Sequence, residues 1–170
     1  MTPNVQKRQD AVKASKSGRP DRSPGGDAMS ELVVHVFRLN GQLTAAGDAM
    51  AEPAGQTTAR WRVLAAIDHG PMTVAEIARA WWLARQSVQR VADLLVDDGL
   101  AVYEDNPSHR RAKLVRITPR GAESLRKVRR AQTSWADRLG REIGEDVLRA
   151  INEGLPMVID ALERQGTRPG

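Results

Sequence analysis

The sequence of 170 residues predicts a mostly α-helical fold with a small β-sheet of two to three strands. Apolar residues recur at helical spacing over most of the chain after residue 28, and short turn signals separate these stretches. Residues 112–118 differ, because Val115 and Ile117 alternate there with polar residues, as in a half-buried strand. The length fits one domain that is large enough to bury a core.

The first two helices lie before residue 70. An amphipathic helix is expected over 28–50, and Glu52-Pro53-Ala54-Gly55 breaks it. Thr57 or Thr58 can then cap a second helix that continues through Asp68. Gly70-Pro71 stops that helix.

Two shorter helices joined by a tight turn are expected over 73–98. Thr73 and Glu76 match a capping box, in which each side chain bonds the free backbone N–H of the other residue. This first short helix is expected to place Trp81 inward. Leu83-Ala84 forms the turn, and the second helix ends at Gly99 with an inward apolar side made of Val88, Val91, Leu94 and Leu95. Such a pair is a helix-turn-helix.

A β-hairpin and two long helices complete the predicted order. The hairpin has strands at 100–104 and 112–118 around the turn residues Asn106-Pro107-Ser108. Thr118-Pro119 then supplies a capping hydroxyl and a first-turn proline for a helix of roughly 20 residues. The last helix starts at Gly144-Glu145-Asp146, and Pro156 is expected to kink it.

The start of the second short helix carries side chains suited to reading DNA. Arginine bonds guanine through two hydrogen bonds, glutamine bonds adenine in the same way, and serine can donate or accept. In a helix-turn-helix the N-terminal residues of the second helix enter the major groove. The predicted base-reading residues leave the apolar side of that helix and are Arg85, Gln86, Ser87, Gln89 and Arg90.

Positive charge is concentrated in the same part of the chain. Residues 79–130 carry twelve Lys and Arg against six Asp and Glu, a net +6, whereas the whole chain carries +5. A hairpin that follows a recognition helix is a wing, and arginine at its tip suits the negative potential of a narrow minor groove. We therefore predict double-stranded DNA as a partner, with wing contacts from His109, Arg110, Arg111 and Lys113.

The sequence resembles the MarR family of winged helix-turn-helix regulators over about Ala28 to Arg164. The stretches that carry the resemblance are "TTARWRVLAAI", "GPMTVAEIARAW" and "LARQSVQRVADLLVDDGLAVYEDNPSHRRAKLVRITPRG". The resemblance implies a homodimer that reads a palindromic operator, most often as a repressor. The chain departs from the family pattern at His109, where Asp is usual, at Tyr103, where a basic residue is common, and at Ala84, where Ser or Thr is usual.

The resemblance also implies how the chain is divided. It implies an N-terminal dimerisation helix at 28–56, the winged helix-turn-helix domain at 57–118 and the C-terminal dimerisation helices at 119–166. Before them, the polar composition of residues 1–27, rich in Lys, Arg, Ser, Pro and Gly, predicts a flexible basic tail. The long apolar faces of the terminal helices agree with dimerisation, because one small winged domain could not cover them all.

Members of the family often release DNA when a small aromatic or anionic compound binds between the dimerisation helices and the winged domain. The corresponding candidates here are His35, Arg38, Trp61 and Trp135. Core packing is the alternative for the two tryptophans, and a solvated or interface position is the alternative for His35 and Arg38. Trp82 is expected to be exposed, where it could cover the dimer or the wing or stack near the DNA backbone.

Other classes of function find little support in the sequence. The chain has no cysteine, its three histidines lie in three different elements, and it contains no recognised catalytic motif, so we predict no metal, no cofactor and no enzymatic activity. The lack of an apolar stretch of about 18 residues and of a secretory signal predicts a cytoplasmic protein without a membrane partner. Two alternatives stay open: a non-specific architectural DNA-binding protein, and a ligand- or protein-binding module without DNA readout.

Overall fold

The computed structural model describes residues 22–109 and 111–166, and these belong to two compact units that divide between Gln42 and Leu43. The first helix, α1 (Pro24–Ala51), contributes to both units. It begins four residues before the start that apolar spacing indicates. The hydroxyl of Ser23 accepts a hydrogen bond from the Gly26 N–H (3.1 Å), and Asp27 lies in the positive first turn of the helix.

The second unit contains the end of α1, five further helices and three strands. Its elements after α1 are a 3-10 turn at Glu52–Ala54, α2 (Thr58–Ala66), β1 (Met72–Thr73), α3 (Val74–Ala80), α4 (Arg85–Asp97), β2 (Ala101–Glu104), β3 (Leu114–Ile117), α5 (Pro119–Ile143) and α6 (Glu145–Arg164). The predicted class, mostly α with a two- to three-stranded sheet, is confirmed.

The sheet has the strand order β1-β3-β2, and both pairings are antiparallel. Val115 of β3 lies opposite Tyr103 on one side and Met72 on the other. The hairpin strands lie where alternation predicts them, and β1 is the third strand. Because β1 has only two residues, it shows no alternation of its own and forms through its pairing with β3.

The core of the second unit lies between α2, α3, α4, β3 and the start of α5. The largest side chains that are fully buried there are Leu64, Ile67, Ile77, Leu95, Leu125, Val63, Val88, Val115 and Val128. The N-caps that the sequence predicts for α2 and α5 are both formed. Thr57 accepts from the Arg60 N–H at the start of α2, and Thr118 accepts from the Gly121 N–H at the start of α5.

Two residues predicted to point inward are exposed. Leu94 is 47% exposed, because the buried side of α4 follows Val88, Ala92 and Leu95. Trp81 is 43% exposed, because α3 ends at Ala80 and the backbone leaves helical geometry at the next residue. Trp82 is exposed as expected, and it is the one described non-glycine residue with a positive φ (50°).

The capping box at the start of α3 predicts a dependence of stability on pH. The Glu76 carboxylate accepts the Thr73 N–H (2.7 Å) and the Thr73 hydroxyl (2.7 Å), and these bonds lower the pKa of Glu76. A lowered carboxyl pKa stabilises the fold above the unfolded-state pKa, near 4.5, and the stabilisation is lost as the pH falls through the folded-state value. Urea unfolding should therefore show Glu76→Gln less stable than wild type at pH 7, with the difference shrinking at pH 3. An equal difference at both pH values would contradict this account.

Candidate nucleic-acid interface

The helix-turn-helix is formed by α3 and α4. Val88, Ala92 and Leu95 of α4 face the core, which turns the other side of its first two turns to solvent. All five predicted base-reading side chains are exposed there: Arg85, Gln86, Ser87, Gln89 and Arg90. Ala84 occupies the N-cap position and provides no side-chain cap. The backbone N–H groups at the start of α4 therefore lack the usual protein partner.

The hairpin of β2 and β3 forms the wing. Asn106 begins its turn by accepting the Ser108 N–H through its side chain (2.9 Å), and the His109 carbonyl accepts the Ala112 N–H (3.0 Å). Three predicted wing residues are exposed: His109, Arg111 and Lys113. The fourth, Arg110, lies outside the described residues.

A cleft of about 430 Å³ joins the recognition helix to the wing. Arg85 and Gln89 of α4 line one part of it, and Arg111 and Lys113 of the wing line another. The structure thus brings together residues of α4 and of the wing that are 22 or more positions apart in the sequence. Three of these four side chains are positively charged, so the cleft suits an anionic ligand.

Some of the arginines counted in the basic stretch face acidic partners instead. Arg116 of β3 pairs with Glu104 of β2 (2.7 Å), and Arg129 of α5 pairs with Asp68 (2.6 Å). No such pair involves Arg85, Arg90 or Arg111 among the described residues. Arg85 and Arg90 of α4 and Arg111 of the wing are therefore among the positive charges available for an external anion.

Tyr103 connects the wing to the recognition helix. Its hydroxyl donates to the Asp93 carboxylate (2.6 Å) and accepts from Gln89 Nε2 (2.8 Å), which also donates to Asp93 (2.9 Å). Burial and the bond to Asp93 raise the pKa of Tyr103 to about 12. In the sequence Tyr103 stood out only as a departure from the family pattern, and nothing there connected it to residues 89 and 93.

The raised pKa can be measured directly, because Tyr103 is the single tyrosine of the chain. Absorbance at the phenolate band should give half-ionisation well above pH 10, near 12. The folded-state pKa of Tyr103 exceeds its unfolded-state value. The contribution of the protonated Tyr103 hydroxyl to stability is therefore fully present below pH 10 and is lost between pH 10 and 12. Asp93→Asn should move the transition toward pH 10. An unchanged midpoint in that variant would rule out Asp93 as a cause of the shift.

The four predicted ligand residues are divided between the two units. His35 and Arg38 are exposed on the part of α1 that belongs to the first unit. Trp61 and Trp135 are half-buried in the second unit, where Trp61 packs against the core. The proposed pocket therefore stays a prediction. Within 22–109 and 111–166, no His, Asp and Glu side chains gather as a metal site requires, and no helix is suited to crossing a bilayer.

A helix-turn-helix followed by the β2–β3 wing, with β1 as the third strand of the sheet, defines the winged helix-turn-helix class. Sequence comparison shows which family within it. A family profile described as "MarR family" matches residues 54–112. The uncharacterized protein Rv2011c of Mycobacterium tuberculosis (strain ATCC 25618 / H37Rv) is 34% identical over 139 residues, which are 82% of this chain and 97% of that protein. The chain belongs to the MarR family, as its resemblance predicts.

Solved structures show the same fold. The MarR family transcription regulator SP03579 is 19% identical, with a TM-score of 0.72 over 84% of this chain and 95% of that one. The transcriptional repressor CouR bound to a 23-mer DNA duplex is 24% identical, with a TM-score of 0.69 over 82% and 99%. CouR from Rhodococcus jostii RHA1 bound to p-coumaroyl-CoA is 20% identical, with a TM-score of 0.66 over 75% and 90%.

Proposed function

We propose that the protein is a transcriptional repressor that binds a palindromic DNA operator as a homodimer. The observation that carries the proposal is the shared cleft, in which Arg85 of the recognition helix and Arg111 of the wing line one surface. A helix in the major groove and a wing beside it need side chains that face the same ligand. The DNA-bound structure of CouR, a repressor with this fold, supports the assignment.

The two groups of residues have different roles in this proposal. The α4 side chains Arg85, Gln86, Ser87, Gln89 and Arg90 contact base edges in the major groove. The wing residues His109, Arg110, Arg111 and Lys113 contact the backbone and the adjacent minor groove. The first group supplies sequence preference, whereas the second supplies affinity that depends strongly on salt.

Dimerisation is supported by apolar surface that each unit leaves exposed. In the second unit, α6 exposes Val147, Ile151, Met157, Ile159 and Leu162, with Met157 73% exposed. In the first unit, α1 exposes Val33, Val34, Val36, Phe37 and Leu39, with Phe37 also 73% exposed. Large apolar patches on soluble proteins mark interaction surfaces. We propose that a second copy of the chain covers both faces.

Ile151→Lys should weaken or abolish this dimer, because it buries a charge without a partner in an apolar interface. Sedimentation should show wild type at twice the 18.6 kDa of one chain, and the variant should shift toward 18.6 kDa. Glu153→Lys is the matched control, since Glu153 lies on the opposite, exposed side of α6 and its replacement changes the charge by more. Equal behaviour of the two variants would place the interface elsewhere.

Release of DNA by a small-molecule effector is also part of the proposal. The structure of CouR, a protein with the same fold, bound to p-coumaroyl-CoA supports this part of the proposal. The second unit has a cleft of about 370 Å³, a volume within the usual range of ligand sites, and its charged lining is balanced, with Arg120 and Lys127 beside Asp98 and Glu123. Effectors should lower the affinity for operator DNA, which a competition titration against labelled operator measures.

The function is tested by selecting bound fragments from a random DNA pool with the full chain, followed by anisotropy titrations of the enriched fragments at several salt concentrations. An enriched palindrome with half-sites about one helical turn apart is the expected result. Binding without enrichment would indicate the architectural alternative, since affinity would then depend on salt alone. The absence of binding at low salt would refute the proposal and favour the ligand- or protein-binding alternative.

A further inference from the structure

Three side chains meet where the recognition helix α4 lies beside strand β2. The Tyr103 hydroxyl, the Asp93 carboxylate oxygen Oδ1 and the Gln89 amide nitrogen Nε2 form a triangle with sides of 2.6, 2.8 and 2.9 Å. Gln89 and Tyr103 also line the basic cleft. The triangle therefore borders the surface that the proposed function assigns to DNA.

The chemistry of the partners fixes the orientation of the Gln89 amide. Ionised Asp93 can only accept hydrogen bonds. The single proton of the Tyr103 hydroxyl is donated to Asp93, so the phenol oxygen faces Gln89 as an acceptor. Both neighbours thus require a donor, and only the nitrogen end of the amide provides one. A rotation that exchanged nitrogen and oxygen would place the carbonyl oxygen against two oxygens.

The triangle also determines which hydrogen-bonding groups of Gln89 stay available. Its two acceptors lie on the same side of Nε2 and only 2.6 Å apart, whereas the two hydrogens of an amide diverge widely. At this separation one N–H can serve both Tyr103 and Asp93 as a three-centre bond. The second N–H and the carbonyl oxygen Oε1 of Gln89 then remain available to bond a base. These are the donor and acceptor that glutamine uses on the N7 and N6 groups of adenine.

We propose that Tyr103 is a specificity-determining residue, which holds the Gln89 amide in the one orientation that reads adenine. Tyr103 acts through Gln89 and is thus a positioning residue. This inference rests on the proposed function, because it assumes that α4 enters the major groove. A preset amide avoids the ordering cost that a freely rotating side chain would incur on binding.

Tyr103→Phe isolates this role, since it removes the hydroxyl and keeps the ring. The full-length wild type first selects an operator, and Gln89→Ala identifies the base pair whose preference depends on Gln89. Affinities are then measured for operators with each of the four base pairs at that position, using wild type, Tyr103→Phe, Gln89→Ala and the double variant. Ser134→Ala is the control, because it removes a hydroxyl from an exposed position of α5, outside the surface assigned to DNA.

Tyr103→Phe should reduce the preference for adenine at that position by about tenfold and leave preference elsewhere unchanged. In the Gln89→Ala background, the same substitution should have no further effect at that position. Ser134→Ala should leave the preference at that position intact. A merely structural role of Tyr103 would instead lower the affinity for all operators equally.

Undiminished preference in Tyr103→Phe, or an equal loss on every operator, would overturn the inference while leaving the repressor function in place. Preference of the wild type for a base pair other than adenine at the Gln89 position would also overturn it. A wild type that binds DNA without selecting any sequence, or that does not bind DNA, would overturn the proposed function and this inference with it.

Discussion

Gly121→Ala is expected to destabilise the second unit by at least about 3 kcal/mol, near the upper end of the range for overpacking substitutions. Gly121 lies in the first turn of α5, where that turn crosses the start of the wing. An added Cβ would overlap the Leu100 carbonyl oxygen and would lie 2.9 Å from Cγ1 of Ile117. The Leu100 carbonyl cannot move away freely, because it accepts the Thr118 N–H (3.0 Å).

Gly140→Ala provides the matched control on the same helix. A Cβ at Gly140 meets nothing within 4 Å among the described residues, so alanine there should stabilise the chain by about 0.4–1 kcal/mol. Urea unfolding followed by circular dichroism measures both variants. Similar stabilities for the two variants would contradict this prediction. They would show that the Leu100 backbone can move away from a side chain at position 121 despite its hydrogen bond to the Thr118 N–H.

Arg85→Ala is expected to weaken operator binding by about 1–3 kcal/mol and to relax base preference at a particular position. Arg85 is exposed at the first position of α4, lines the cleft shared with the wing, and forms no ion pair with any described acidic residue. Its guanidinium is therefore free to bond a guanine through two hydrogen bonds.

Arg164→Ala is the control for charge, because it removes one exposed positive charge in the last turn of α6. Anisotropy titrations over a range of salt concentrations distinguish the two kinds of contact. Loss of a base contact changes the preference at one position, whereas loss of a phosphate contact weakens binding to all sequences and lowers the salt slope by about one. If Arg85→Ala and Arg164→Ala change operator affinity and base preference equally, Arg85 does not contact the bases of the operator.

Features that depend on neighbours in the sequence were predicted well. Thr73 and Glu76 are three positions apart, and their capping box forms as the sequence pattern indicates. The caps at Thr57 and Thr118 are equally local, and the apolar spacing of α4 correctly exposes its base-reading candidates. The predicted inward position of Trp81 is wrong, because helical spacing does not apply beyond the end of α3 at Ala80, where the backbone turns away.

The sequence by itself therefore determined the order of the six α-helices and the two hairpin strands, and the residues available on α4 and the wing. These follow from hydrogen bonds and side-chain periodicity within a few residues, whereas the family followed from the resemblance of whole stretches of sequence. Only the tertiary structure decided that β1 pairs with β3, that Arg85 and Arg111 line one cleft, and that Tyr103 binds Gln89 and Asp93. These contacts join residues 10 to 43 positions apart. Their geometry is set by how α4 and the sheet pack on the common core, which no local pattern records.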